Sequence, residues 1–219
     1  MQIDKLIKHF KQNDKGRDFV VGDIHGCFDL LTFRLGKIDF NEAIDRLFSV
    51  GDLVDRGAKS EDCVKWLNKP WFHAVRGNHE QMAIDYTLYA EKTLYQMNGG
   101  QWFIDLNGGE QKCFATLFRQ LPIAIEVETK SGLIGIIHAD CPVNDWNDLG
   151  NALENDKRAI ECAIWNRGIA SSDEPVFIKN IDKVYFGHTP TKEPKTIGNC
   201  VFIDTGAVFG GQLTVIQIQ

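Results

Sequence analysis

The sequence has no long apolar run, no C-x-x-C pair of cysteines and no excess of positive charge. Its longest apolar stretches, such as Leu133–Ile137, have the length of a strand, whereas a membrane-spanning helix needs about 20 apolar residues. The first residues include Asp4 and contain no apolar core of a secretion signal. We therefore expect a cytoplasmic protein with reduced thiols that does not enter membranes.

The net charge of −6 argues against a basic surface of the kind that binds nucleic acid. The chain has 219 residues, 43% apolar and 25% charged, which is an ordinary globular composition. We find no linker, repeat or low-complexity tract, so residues 1–219 are expected to form one domain. The sequence leaves the oligomeric state open.

Three short apolar runs each end at a glycine and are followed by a helical pattern. These runs are Asp18–Val21 before Gly22, Leu47–Val50 before Gly51, and Phe72–Val75 before Gly77. Repeats of strand, glycine loop and helix predict an α/β fold with a parallel sheet. Ligand sites of such sheets gather beyond the C-terminal ends of the strands.

The second half of the sequence predicts a second sheet packed on the first. The segments Ile123–Glu128 and Leu133–Ile137 flank a turn and predict a hairpin. Further strands are expected at Lys183–Phe186, Val201–Ile203 and Leu213–Ile218. We also expect a leading helix over Ile3–Phe10, a long loop over Asn144–Lys157 and a helix near Arg158–Ile164.

Acidic, histidine and asparagine residues follow the predicted strand ends. Carboxylate, imidazole and amide groups suit Mn, Fe, Zn or Ni better than an ion that prefers thiolates. Hydrolysis of phosphate monoesters is among the slowest uncatalysed reactions, and two ions about 4 Å apart can activate a water and neutralise developing charge. The candidate metal ligands are Asp23, His25, Asp52, Asn78, His138 and His188.

Three arginines and one further histidine complete a candidate site for a phosphate group. Arg56 and Arg76 flank two of the glycine loops, and Arg167 is a third candidate. A guanidinium can bind phosphate oxygens in a bidentate way. His79 is a candidate general acid for the leaving oxygen, and Asp55 could hold its imidazole in the charged form.

Each of these residues, taken singly, has an ordinary explanation. A Gly-Asp pair after a strand is usually a turn, and a lone His138 would more often be structural. Isolated arginines mostly form surface ion pairs. Cys27 and Cys141 lie near ligand positions, but the oxygen and nitrogen set is complete without them. It is the combination of three loops that favours a metal site.

These motifs resemble the phosphoprotein phosphatase branch of the calcineurin-like metallophosphoesterases, above all the short phosphatases of bacteriophage lambda and of bacteria. The likeness extends over nearly the whole chain and includes Val75–Met82, Ile164–Arg167, Phe186–Pro190 and Ile203–Phe209. The resemblance implies a two-sheet β-sandwich flanked by helices. It further implies Asp23 and His25 as ligands of one metal, Asp52 as the bridge, and Asn78, His138 and His188 as ligands of the other.

The resemblance also implies the activity. The substrates would be proteins or peptides that carry phosphoserine or phosphothreonine, and phosphotyrosine as well. Manganese would be the usual metal, with Ni, Zn or Fe as alternatives. A hydroxide between the two metals would attack phosphorus directly, while His79 protonates the leaving oxygen and the three arginines bind the phosphate. Because no cysteine stands in a C-x5-R loop, we expect no covalent phosphoenzyme.

Two alternatives stay open at this point. Enzymes that resemble symmetrical diadenosine tetraphosphate hydrolases tend to replace His25, Asp55 or Glu80, and all three are present here. An inactive metal-binding scaffold would usually lack a ligand or the acid, and none is missing. Both observations favour the protein phosphatase. The stretches Tyr86–Asn107 and Asn144–Lys157 match no family pattern and are expected to shape substrate choice.

Overall fold

The computed structural model describes residues 6–219 of the chain, and these form two β-sheets with helices on their outer faces. The strands are β1 (Ile7–Phe10), β2 (Asp18–Val21), β3 (Arg46–Ser49), β4 (Phe72–Ala74), β5 (Ala124–Thr129), β6 (Gly132–Ile137), β7 (Lys183–Phe186), β8 (Lys195–Ile197), β9 (Cys200–Phe202) and β10 (Val215–Gln217). The helices are α1 (Phe28–Lys37), α2 (Cys63–Leu67), α3 (Asn78–Tyr89), α4 (Lys92–Met97), α5 (Gln101–Ile104), α6 (Gly108–Arg119), α7 (Leu149–Asn155) and α8 (Lys157–Trp165).

The smaller sheet has the strand order β10-β2-β3-β4. Strands β2, β3 and β4 are parallel, and β10 runs antiparallel to β2. Helices α1, α2 and α3 follow these three parallel strands in turn. The predicted rounds of strand, glycine loop and helix are therefore confirmed. All four residues of β2 are buried, as expected for a strand covered on both faces.

The larger sheet has the strand order β1-β5-β6-β7-β9-β8. Strands β5 and β6 form the predicted antiparallel hairpin, with Ala124 paired to Ile137. Strands β6, β7 and β9 are parallel to one another. Their C-terminal ends therefore lie at one edge of the sheet, which fixes where His138 and His188 emerge.

Apolar side chains fill the space between the two sheets and beneath the helices. The layer between the sheets includes Phe48 of the smaller sheet and Ile125 and Ile136 of the larger one, all fully buried. Burial of each such side chain stabilises the fold by about 1.5–3 kcal/mol. A second cluster lies under α1, α3 and α6, and a third under α7 and α8. The two-sheet sandwich flanked by helices is therefore confirmed.

Two local predictions are wrong. Residues 3–5 of the expected helix Ile3–Phe10 lie outside the described part of the chain, and Ile7–Phe10 forms β1, which pairs in parallel with β5. The expected loop Asn144–Lys157 contains helix α7. Leu149 and Leu153 are one helical turn apart and fully or almost fully buried, and this spacing was obscured by polar neighbours.

No helix in the described range 6–219 combines the length and the apolar character needed to cross a membrane.

Candidate metal and active site

The candidate ligands and His79 lie just beyond strand ends. Asp23 and His25 follow β2, Asp52 follows β3, Asn78 and His79 begin α3 after β4, and His138 and His188 follow β6 and β7. All seven are buried, with at most 8% of the residue surface exposed. The structure therefore brings these residues from both sheets to one edge of the sandwich.

The loops hold several of these residues in the left-handed backbone region. The φ angles are 44° at His25, 49° at Asp52 and 64° at His188. Residues other than glycine avoid this region, at a cost of about 1–3 kcal/mol each, unless the surrounding structure fixes them. The strained loops turn these side chains toward one another.

Two glycines allow the loops to approach the carboxylates closely. A Cβ atom at Gly77 would collide with the carboxylate of Asp52, and one at Gly187 would collide with that of Asp23. Neither position has room for a side chain. Both loops therefore require glycine at these positions for steric reasons.

Asp52 lies between two groups of potential metal ligands. Its carboxylate forms one group with His25 and His79 and another with His138 and His188. Within each group, the ligand atoms lie within 4.8 Å of one another. A carboxylate shared in this way has the position that a bridge between two ions requires.

The imidazoles of His25 and His138 present unprotonated nitrogens to Asp52. Each Nδ1 donates to a backbone carbonyl at 2.8 Å, that of Val54 for His25 and that of Val50 for His138. Each Nε2 therefore carries its lone pair, at 3.5 Å from an Asp52 oxygen for His25 and at 3.4 Å for His138. Two acceptors that face each other repel unless a cation lies between them. Such backbone-anchored imidazoles are typical of metal ligands.

His188, in the group with Asp52 and His138, is also anchored to a backbone carbonyl, and its ring faces Asn78. His188 Nε2 donates to the carbonyl of Trp165 at 3.1 Å, so its Nδ1 lone pair faces Asn78 Oδ1 at 2.9 Å. The same Asn78 oxygen lies 2.9 Å from Nε2 of His138. In this orientation of the amide, one Asn78 oxygen thus lies within 3 Å of a nitrogen of each of the two imidazoles. This donor set fits a divalent cation that prefers nitrogen and oxygen ligands.

Burial and charge set the protonation of these groups. Burial lowers the pKa of His25 and of His188 to about 3, which keeps both in the neutral form that binds metals. Burial, together with the charges of Asp204 and Asp52, raises the pKa of Asp23 well above its usual value. A bound cation would offset this repulsion between carboxylates.

Asp23 is placed differently from the other expected ligands. Its two carboxylate oxygens accept the backbone N–H of His188 at 3.0 and 3.2 Å. Asp23 belongs to neither group of potential ligands around Asp52. The third member of the group with His25 is His79. Asp23 therefore links the β2 loop to the β7 loop.

His79 forms a buried pair with Asp55. Its Nδ1 lies 2.7 Å from Asp55 Oδ2, and both side chains are at most 1% exposed. Burial alone would lower the pKa of His79, but the charge of Asp52 and the hydrogen bond to Asp55 outweigh it, so the pKa is raised. Nε2 lies 3.8 Å from Asp52 and is the atom directed at the metal groups. A protonated His79 could therefore donate a proton at this point.

A pocket of about 300 Å³ opens above these groups. Its lining residues are Asp52, Arg56, Asn78, His79, Asn98, Trp165, Arg167 and His188. Arg56 Nη1 donates to His25 Nε2 at 2.6 Å, and Arg167 Nη1 donates to Thr189 at 3.3 Å. Both guanidinium groups are therefore at the pocket, where they can meet an anion.

The profile of the calcineurin-like phosphoesterase family matches residues 19–192 of this chain. The chain belongs to the calcineurin-like phosphoesterase family. It is 38% identical over 227 residues to serine/threonine-protein phosphatase 1 of Salmonella typhimurium, with all of both chains covered. It is 35% identical to serine/threonine-protein phosphatase 2 of the same organism, with 92% of each chain covered. A solved structure described as a putative diadenosine tetraphosphatase has a TM-score of 0.65 and 19% identity, over 96% of this chain and 97% of that one, which establishes likeness of fold.

Arg76 is the one expected phosphate-binding residue that this phosphoesterase does not bring to the pocket. Its Nη2 donates to the carbonyls of Arg119 at 2.7 Å and Leu121 at 3.2 Å, and Nη1 donates to Gln81. The carbonyl groups at the end of a helix lack partners and attract a cation, which accounts for this placement at the end of α6. Its guanidinium does not line the pocket, so its role in binding phosphate stays a prediction.

Several residues around the site were given no structural role from the sequence, although Glu80 was used there to weigh the rival activity. Glu80 accepts the N–H groups of Gly77, Asp52 and Leu53 at 2.8, 3.1 and 2.8 Å and so joins two ligand loops. A glutamate three residues after a helix N-cap often accepts the N–H of that N-cap residue, and this spacing from Gly77 could have revealed the role of Glu80. Burial raises the pKa of Asp204, beside the metal groups, to about 6. Asn98 and Trp165 line the pocket without any local signal in the sequence.

The spacing C-x5-R does occur in this phosphoesterase, at Cys113 and Arg119. Both residues lie on helix α6. A cysteine nucleophile needs a loop whose N–H groups cradle the phosphate, and helix α6 does not provide one. The pair therefore lends no support to a covalent mechanism.

Proposed function

We propose that this chain is a metal-dependent phosphatase that acts on phosphoserine and phosphothreonine in proteins, and on phosphotyrosine as well. The main support is one arrangement: Asp52 is shared by two groups of potential metal ligands, one with His25 and His79 and one with His138 and His188, and His79 is also paired with the buried carboxylate of Asp55. The full-length similarity to two bacterial serine/threonine-protein phosphatases points to the same substrates. No second activity is needed to account for the residues gathered there.

Two divalent metal ions would be held by the buried donors. We assign Asp23 and His25 to the first ion, Asp52 to both, and Asn78, His138 and His188 to the second. When bound, the ions supply a water activated for attack on phosphorus and neutralise charge on the phosphate oxygens. The mixed nitrogen and oxygen donors fit Mn²⁺, Ni²⁺, Zn²⁺ or Fe, and the family resemblance makes Mn²⁺ our first choice.

The side chains of the pocket would carry out the remaining steps. Arg56 and Arg167 would bind the non-bridging phosphate oxygens, and this positions phosphorus for in-line attack. His79 would donate its proton to the departing serine or threonine oxygen, a step typically worth 10²–10⁴ in rate. Asp55 would keep the ring oriented and charged. We assign no covalent phosphoenzyme to the pathway.

Three broader assignments stay predictions. We propose that residues 1–219 form a single catalytic domain. We also propose the cytoplasm as its location, as expected from the sequence, and phosphorylated proteins as its partners, as the names of the relatives suggest.

The rival activity is hydrolysis of dinucleoside polyphosphates. The fold is similar to that of a putative diadenosine tetraphosphatase. Three residues that such hydrolases tend to replace argue against this activity. His25 and Asp55 occupy central positions of the site, and Glu80 joins two ligand loops. Initial rates on a phosphoserine peptide and on diadenosine tetraphosphate, measured with the same enzyme and metal, separate the two. We expect a higher kcat/KM for the peptide, and a higher value for the nucleotide would overturn the proposal.

An inactive metal-binding scaffold is the third possibility. A chelator should abolish hydrolysis of p-nitrophenyl phosphate, and Mn²⁺ should restore it. Absence of turnover with every metal tested would favour the scaffold.

A further inference from the structure

Helices α4 and α5 cover the loop that contains Asp55 and Arg56. This segment, Lys92–Ile104, belongs to the stretch that the sequence analysis expects to shape substrate choice. Its side chains reach beneath His79 and contact the buried carboxylate of Asp55. The inference drawn from these contacts rests on the proposed function of His79 as general acid.

The two oxygens of Asp55 have separate partners. Oδ2 lies 2.7 Å from His79 Nδ1. Oδ1 accepts the indole N–H of Trp102 at 2.6 Å and the hydroxyl of Tyr95 at 3.2 Å. Asp55 is fully buried, so these donors replace the water that would otherwise solvate the carboxylate. Burial and the charge of Asp55 raise the pKa of Tyr95, so its hydroxyl stays protonated and able to donate.

We propose that Trp102 and Tyr95 are positioning residues for the general acid. By holding Oδ1 of Asp55 from the side opposite His79, they fix the plane of the carboxylate. That plane determines where Oδ2 lies and therefore how the ring of His79 is directed into the pocket. Neither residue lines the pocket.

The backbone of the loop needs this external support. Asp55 and Arg56 have φ angles of 70° and 66°, which residues other than glycine rarely adopt. The carbonyl of Gly99 accepts the N–H of Arg56 at 3.4 Å. A Cβ atom on Gly99 would stand 2.7 Å from that same nitrogen, so segment and loop are in close contact. Strained conformations persist only where several contacts fix them.

The positioning side chains are themselves fixed by aromatic neighbours. Trp102 meets Phe114 of α6 edge to face, with ring centroids 5.2 Å apart. Tyr95 meets Phe103 at 5.7 Å in the same geometry. These contacts leave the donors little freedom to follow a moving carboxylate. A displacement of about 1 Å in a reacting group can reduce the rate by about 100-fold.

The test compares three single variants with the wild-type enzyme. Trp102→Phe keeps an aromatic ring and removes the N–H donor, and Tyr95→Phe removes the hydroxyl with little change in volume. Trp146→Phe is the matched control, because the N–H of Trp146 also donates to a carboxylate, that of Glu126 at 2.8 Å, but Trp146 lies in the apolar cluster under α7 and α8. The substrates are a phosphoserine peptide, with a poor leaving group, and p-nitrophenyl phosphate, with a good one.

We expect Trp102→Phe to lower kcat on the phosphoserine peptide about 10-fold and to change kcat on p-nitrophenyl phosphate less than about twofold, because only the poor leaving group needs the acid. KM should stay constant. Tyr95→Phe should act in the same direction with a smaller loss, and it provides the test if Trp102→Phe does not fold. Trp146→Phe should leave the ratio of the two kcat values unchanged.

A second set of measurements uses enzyme in which His79 is already replaced by asparagine. Trp102→Phe should then cause no further loss on phosphoserine, because no acid is left to position. Equal losses with and without His79, or equal losses on both substrates, would overturn the inference. A wild-type enzyme that cleaves p-nitrophenyl phosphate but not the peptide would instead contradict the proposed function.

Discussion

Asp52 faces different histidines with each of its carboxylate oxygens. Oδ1 lies 3.4 Å from His138, and Oδ2 lies 3.5 Å from His25. Oδ1 also accepts the backbone N–H of His79 at 3.0 Å, at the positive end of helix α3. One residue thus connects the metal groups to the helix that contains the proposed acid.

Replacement of His79 by asparagine tests the acid role directly. The variant should lose about 10²-fold or more in turnover of substrates with poor leaving groups, since a general acid is typically worth 10²–10⁴. The loss on p-nitrophenyl phosphate should be smaller, because its phenolate leaves without a proton. The measurement is kcat on both substrates at one metal concentration. Equal losses would argue against proton donation by His79.

Gly187 provides a second test at the level of one residue. In Gly187→Ala, the new Cβ would collide with the Asp23 carboxylate. We expect metal affinity to fall about 10–100-fold, the usual cost of disturbing a group that supports a metal site. Titration of apo enzyme with Mn²⁺ by calorimetry measures this.

Gly36 on helix α1 is the matched control for that substitution. No atom lies within 4 Å of a Cβ built at Gly36. Gly36→Ala should therefore bind metal as the wild type does and gain about 0.5–1 kcal/mol in free energy of unfolding, because alanine loses less conformational freedom in a helix. Wild-type affinity in Gly187→Ala would contradict the steric account of this loop.

Residue types and spacing predicted which side chains come together at the site, but they did not predict the orientation of each side chain. The ligand loops follow strand ends, so the sequence alone placed His25, Asp52 and His138 at one sheet edge. Arg76 also follows a strand end, yet it turns to the carbonyls after α6, because no local pattern reveals that helix end as its partner. The contact from Trp102 to Asp55 spans 47 residues and depends on how α5 packs.

At the level of elements, strands that continue a buried sheet were easier to predict than those that depend on a distant partner. Strand β2 has the predicted bounds, and the hairpin β5–β6 matches its turn signal. Strand β1 has only two half-buried residues, Ile7 and Phe10, and is ordered by pairing with β5 more than 110 residues away. Local propensity does not contain that information.

His73 on β4 connects the two sheets and should make the protein sensitive to acid. Its ring centroid lies 4.4 Å from that of Phe10 on β1 and 5.3 Å from that of Phe48 on β3. Burial, with the charges of Lys8 and Arg46, lowers its pKa to about 3. The unfolded chain takes up a proton near pH 6.5 while the folded chain does not, so stability falls as the pH drops from 6.5 toward 3.

Replacement of His73 by phenylalanine should remove this part of the pH dependence. Between pH 7.5 and 4.5, the loss in free energy of unfolding should shrink by about 2 kcal/mol relative to the wild type. Urea unfolding at the two pH values measures it, and the other titrating groups cancel in the comparison. An unchanged loss in the variant would show that His73 titrates alike in both states.

For the whole molecule, the proposed metal site joins the two sheets. Asp52 extends from the smaller sheet, and His138 and His188 extend from the larger one. An ion that binds only the folded state adds about 2.7 kcal/mol at 100 times its Kd. We therefore expect Mn²⁺ to raise the Tm of chelator-treated protein and Asp52→Asn to reduce that rise. An equal rise in the variant would indicate binding elsewhere.

The most direct test of the central claim is phosphate release from a phosphoserine peptide and a phosphotyrosine peptide. Apo enzyme would be supplied in turn with Mn²⁺, Ni²⁺, Zn²⁺ or Mg²⁺. We predict metal-dependent release from both peptides, with the highest rate in Mn²⁺. No release from either peptide with any ion, while p-nitrophenyl phosphate is still cleaved, would contradict the assignment as a protein phosphatase.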